Sequence, residues 1–171
     1  MSTFKNQKLI KPKPEDIAGE LNDANRVANI LNLVEFIRSK KIGIQWEASN
    51  AWALKYKGKK IFQLKIGAAR WDSCDEIAQS WHIRHNRLYL DYYYSMEDCE
   101  LKTFIFEHIY AKACGNCIGT NANPNEQKAG YMNPTECSCN PLRIYNPEGE
   151  AQEFTKRLIE FRMNCVLENP K

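Results

Sequence analysis

From Ile44 onward the chain alternates apolar and polar residues with period two. Ile44, Trp46 and Ala48 are interleaved with Gln45 and Glu47, and Trp52, Leu54 and Tyr56 with Ala53, Lys55 and Lys57. Phe62, Leu64 and Ile66 then alternate with Gln63 and Lys65. Successive side chains of a strand point to opposite faces, so this pattern predicts a β-meander with one buried face and one wet, lysine-bearing face. Ser49-Asn50 and Gly58-Lys59 supply the turns. A fourth strand is predicted over 81–85, where Trp81 and Ile83 alternate with His82 and Arg84, and a fifth over 88–94.

On either side of the meander the period is helical. A short helix is predicted over 15–21. A longer one runs from Asp23, a suitable N-cap, to Lys40, with Val27, Ile30, Leu31, Val34 and Ile37 on one stripe. Leu101, Phe104, Ile105 and His108 predict another helix opening at Asp98 or Ser95, although Phe104-Ile105-Phe106 also suits a short strand. Residues 140–145 read as extended. Asn146-Pro147 then opens the last helix, with Asn as N-cap and Pro at the first helical position. Its buried stripe is Ala151, Phe154, Leu158, Phe161 and Cys165. Residues 1–13 carry Lys5, Lys8, Lys11 and Lys13 and read as a solvated, flexible arm.

These elements describe one α+β domain over residues 1–171, an antiparallel sheet of four to five strands flanked by helices. The chain is long enough for one sizeable core. No stretch approaches the roughly 20 apolar residues of a membrane span, and the polar start lacks the apolar segment of a signal peptide. A cytoplasmic, reducing location is therefore expected, with cysteines as thiols or metal ligands. The formal net charge of +3 is too small to argue for a nucleic-acid partner.

Four of the seven cysteines form two close pairs, Cys114-Gly115-Asn116-Cys117 and Cys137-Ser138-Cys139. The run between them is rich in Asn, Pro and Gly and has no apolar period, so nothing in it specifies a fold of its own. Cys114, Cys117, Cys137 and Cys139 on one zinc ion would order it, because zinc takes four thiolates tetrahedrally at about 2.3 Å. His108 or Cys99 is the substitute should one of the four not bind. A redox dithiol is disfavoured: the C-x-x-C pair follows a predicted helix, whose negative end opposes a bare thiolate but not a metal-bound one.

Two other chemistries compete. Cys74 with His82 or His85 would make a thiol enzyme, but Asp72, Asp75 and Glu76 beside Cys74 oppose its ionisation. Trp46, Trp52 and Trp81 share the apolar face and are read first as core; an aromatic-lined pocket for a small molecule is the sharper alternative. The favoured function is a zinc-stabilised, non-catalytic binding or interaction module, followed by a small-molecule-binding domain on the Trp-rich face, then a thiol or zinc enzyme.

The hairpin Trp52-Ala53-Leu54-Lys55-Tyr56-Lys57-Gly58-Lys59-Lys60-Ile61, with cysteines ahead of the Asn146-Pro147 that opens the final helix, resembles small bacterial single-domain proteins of uncharacterised activity. The resemblance spans 46–158 and implies an antiparallel sheet with a C-terminal helix. It implies no activity.

Overall fold

A computed structural model of the chain describes residues 4–67, 80–85, 96–108 and 142–168. In chain order the elements are α1 (Phe4–Ile10), α2 (Pro14–Ala18), α3 (Ala24–Ser39), β1 (Gly43–Ala48), β2 (Ala51–Tyr56), β3 (Lys59–Ile66), β4 (Trp81–His85), α4 (Cys99–His108), β5 (Leu142–Tyr145) and α5 (Glu150–Glu168). The architecture is α+β, with a five-stranded sheet in the order β1-β2-β3-β4-β5 whose strands β1 to β4 pair antiparallel. The chain divides into two compact units, residues 1–84 with 144–171 and residues 85–143, where the sequence pattern reads as one domain.

The meander forms in the first unit as the alternation requires. Trp46 pairs with Trp52, Trp52 with Leu64, and Leu64 with Ile83. Trp52, Leu54, Phe62, Leu64, Ile66, Trp81 and Ile83 are all buried. The β2–β3 turn is made by Lys57 (φ 47°) and Gly58 (φ 79°), two positive values in succession that match the right-handed twist of a tight hairpin. Helix α5 packs on β3 and on α3, and α2 packs on α3.

Asp23 caps α3 as expected, its carboxylate accepting from the N–H groups of Asn25 and Arg26 at 2.9 and 3.1 Å. The buried stripe is Ile30, Leu33, Val34 and Ile37, whereas Leu31 is 41 % exposed. Leu33 and Leu31 lie on opposite sides of a shared stripe, so spacing alone fits either one, and packing selects Leu33. A similar rotation holds in α5, where Gln152, Thr155, Leu158, Ile159, Cys165 and Val166 are buried and Ala151, Phe154 and Phe161 are half-buried.

Two expectations are corrected. The N-terminal arm is not a solvated tail: residues 4–10 form α1, and Gln7 is 1 % exposed. Asn146 does not cap the last helix, which starts at Glu150 after Gly149 in a left-handed conformation (φ 53°). Instead Asn146 pins β4, its side-chain oxygen accepting the Trp81 N–H and its own N–H donating to the Trp81 carbonyl, both at 2.8 Å. The fifth strand of the sheet is 142–145, read from sequence only as extended; residues 88–94 lie outside the described residues.

In the second unit α4 is a helix, not the alternative strand. Asp98 supplies the deciding cap: its carboxylate accepts the Leu101 N–H at 3.0 Å and its carbonyl the Lys102 N–H at 3.0 Å. Leu101, Phe104 and Ile105 are buried. Among the described residues no helix is long and apolar enough to cross a membrane.

Candidate ligand-binding site

Strand β1 ends the sheet, so its inner face has a neighbour on one side only. Ile44 and Trp46 are half-buried, while their register partners Leu54 and Trp52 are 0 % and 1 % exposed. The open edge is framed by the N-terminal segment, which the sequence reading missed as a structural part. After α1, Lys11 adopts a left-handed conformation (φ 46°), with its N–H donating to the Gln7 carbonyl at 2.8 Å. The next residues are Pro12-Lys13-Pro14, whose two rings fix φ and stiffen the chain into a strap. That pair of prolines was the available signal.

Two anchors hold this segment down. Gln7 uses both ends of its side-chain amide on the β1–β2 turn: Nε2 donates to Asn50 Oδ1 at 2.5 Å, and Oε1 accepts the Asn50 N–H at 2.9 Å. Asn50 is itself left-handed (φ 54°) and 5 % exposed, so Gln7 satisfies polar groups that the turn buries. The second anchor is the Trp52 indole N–H, which donates to the Pro12 carbonyl at 2.8 Å. Beyond the strap, the Asp16 carboxylate accepts the Lys13 N–H at 2.8 Å and starts α2.

Between strap and sheet lies a hollow of about 280 Å³, whose walls include Ile44, Trp46 and Trp52 and whose polar lining is Lys11, Lys13 and Arg38. Arg38 Nη1 is ion-paired with Glu15 Oε1. Lys11 and Lys13 are exposed and have no ion-pair partner among the described residues. The Trp46 indole N–H is sheltered from water and has no acceptor among the described residues, in contrast to that of Trp52. An adjoining hollow of about 350 Å³ shares Lys11, Pro12 and Lys13 but is also lined by Asp16 and Glu20.

On the opposite sheet face Lys60 is engaged locally. Lys60 bonds both oxygens of Glu47 at 2.7 and 2.6 Å, and Gln63 bonds Glu47 Oε2 at 2.7 Å. Burial alone would raise the Glu47 pKa; these bonds and the charges of Lys60 and Lys55 outweigh it and hold the carboxyl below its ordinary value.

The other sequence candidates fall only partly within the described residues. His82 and His85 are both buried in β4, and the His82 ring packs on Tyr145 with centroids 4.8 Å apart. Cys74 and Trp71 lie outside the described residues, as do Cys114, Cys117, Cys137, Cys139 and the side chain of His108. Cys99 is exposed, with Sγ 3.6 Å from the Glu97 carbonyl, and Cys165 is buried. Burial pushes the Cys165 thiol up, with Arg162 opposing the shift. Among the described residues no group of three or more His, Cys, Asp or Glu side chains is placed to hold a metal ion. No family model, curated protein or solved structure matches this chain.

Proposed function

We propose that this protein is a small-molecule-binding module whose ligand seats on Trp46 in the hollow at the open edge of the sheet. The carrying observation is the contrast between two register-paired tryptophans. Trp52 is fully buried with its N–H satisfied by Pro12, while Trp46 is half-buried beside a concave space. A preformed concavity with aromatic walls and a few convergent polar groups is what small ligands use. The volume, just below the usual range of about 300–1,000 Å³, suits a ligand of one or two rings. The strap that frames it is held by the Gln7–Asn50 and Trp52–Pro12 hydrogen bonds, which limits the ordering cost of binding.

The test is a titration of ¹⁵N-labelled protein with small aromatic molecules, following the four tryptophan indole N–H signals, with Trp46 assigned through Trp46→Phe. Binding in the hollow moves the Trp46 signal and leaves that of Trp81 in place. If no aromatic probe moves Trp46, the hollow is a packing feature.

The second part of the proposal is a structural zinc ion on Cys114, Cys117, Cys137 and Cys139. Its support is their sequence spacing and the polar run between the pairs. Elemental analysis of purified protein should find one zinc per chain, lost on Cys117→Ser, together with faster proteolysis between residues 118 and 136. Metal-free protein with these cysteines in disulfides would rule the ion out.

A further inference from the structure

We infer that the Trp46 hollow selects planar acids: ligands of one or two fused rings bearing a single anionic group such as a carboxylate. This rests on the hollow being a binding site and adds the charge of what it binds. All three ionisable side chains that line it are cations, Lys11, Lys13 and Arg38, and no carboxylate lines it. The adjoining hollow is built on the same strap yet carries Asp16 and Glu20 as well. The positive bias therefore belongs to the first hollow and not to the strap at large.

Two of the three cations are also free to act on a ligand. Lys11 and Lys13 have no carboxylate partner among the described residues, and Asp16 is engaged with the Lys13 backbone N–H. Arg38 spends one nitrogen on Glu15, and a guanidinium has five N–H donors, so others remain for an incoming oxygen. The lysines are presented on a backbone of low freedom, since Lys13 sits between two prolines and Lys11 is locked into a left-handed helix end. Left-handed backbone at a residue other than Gly, Asn or Asp is a strained state that recurs at ligand clamps. The ring of the ligand would lie against the half-buried Trp46 and the apolar wall of Ile44, and its anion between the strap lysines and Arg38.

A matched pair of probes separates the two layers of the claim. 2-Naphthoate and 2-naphthamide have the same shape and differ in charge, and each is titrated into full-length protein while the Trp46 indole signal is followed. The acid should bind about tenfold more tightly than the amide at low ionic strength. That ratio should shrink to about twofold or less in Lys11→Gln/Lys13→Gln, and likewise when salt shortens the screening length to about 3 Å near 1 M. Both lysines are exposed, so the double variant keeps its fold, which its thermal melt verifies. Equal affinity for acid and amide in the native protein overturns the charge selectivity while leaving the hollow as a binding site. A preference for the acid that survives Lys11→Gln/Lys13→Gln and high salt overturns the assignment to the strap cations. Failure of both probes to move Trp46 overturns the binding site itself, and the inference with it.

Discussion

Trp52, in the second strand, donates its indole N–H to the carbonyl of Pro12, forty residues earlier, at 2.8 Å. The bond ties a short proline-flanked strap to the buried face of the sheet and leaves Trp46, its register partner on the edge strand, as the less buried of the two tryptophans that line the hollow. Both residues sit on the same apolar face. Their different fates come from sheet position, since β2 is covered from both sides and β1 from one.

Trp52→Phe should keep most of the ring packing and lose the donor, leaving the Pro12 carbonyl unpaired. A buried acceptor without a partner costs about 1–3 kcal/mol, so urea unfolding should show a loss in that range. The strap should also loosen, read as faster amide exchange at Lys13. A variant with native stability and native exchange would show that the bond does not hold the strap.

Gln7 is the deeper anchor, because its amide meets both the side chain and the backbone N–H of Asn50. Gln7→Ala should cost about 2–3 kcal/mol by leaving two buried polar groups unsatisfied. Lys8→Ala, one residue on and exposed, should lie within about 0.5 kcal/mol of native. Thermal melts of the two variants compare them directly, and equal effects would return α1 to the status of an ornament on the surface.

Glu47 provides a pH test with a definite sign. Its folded pKa lies below the ordinary 4.5, so its contribution is present above that value and is lost as pH falls through the folded value. The pair with Lys60 is more than one-third exposed on the Glu47 side, at 39 %, so screening keeps the contribution small. Glu47→Gln should cost about 0.2–1 kcal/mol near pH 7 and less near pH 2.5. Unfolding curves at the two pH values decide, and a cost that grew on acidification would contradict the assignment.

The sheet was legible because apolar and polar residues alternate along the sequence from Ile44 to Ile66, even though β2 buries Ala51 to Leu54 on both faces, and Asp23 and Asp98 announced their helices through cap chemistry. The N-terminal segment was not, for a physical reason. Among its described side chains Gln7 and Pro12 are buried, and Gln7 owes its burial to hydrogen bonding and not to hydrophobicity, so the pattern around it looks like a solvated tail. Asn146-Pro147 misled for a related reason: the Asn side chain found a β-strand backbone to bond before it met a helix N-terminus. A tryptophan-rich apolar face could be read from alternation. Which tryptophan would border open space could not, since that depends on strand order and on a strap reaching back across the sheet.

The most direct measurement is the set of intermolecular nuclear Overhauser contacts between bound 2-naphthamide and the tryptophan rings. This probe carries no charge, so the result bears on the hollow alone. Contacts to the ring of Trp46 and to Ile44, with none to Trp81, are the expected result. Contacts confined to other parts of the surface, or none at all at saturating probe, would contradict a binding site at the edge of this sheet.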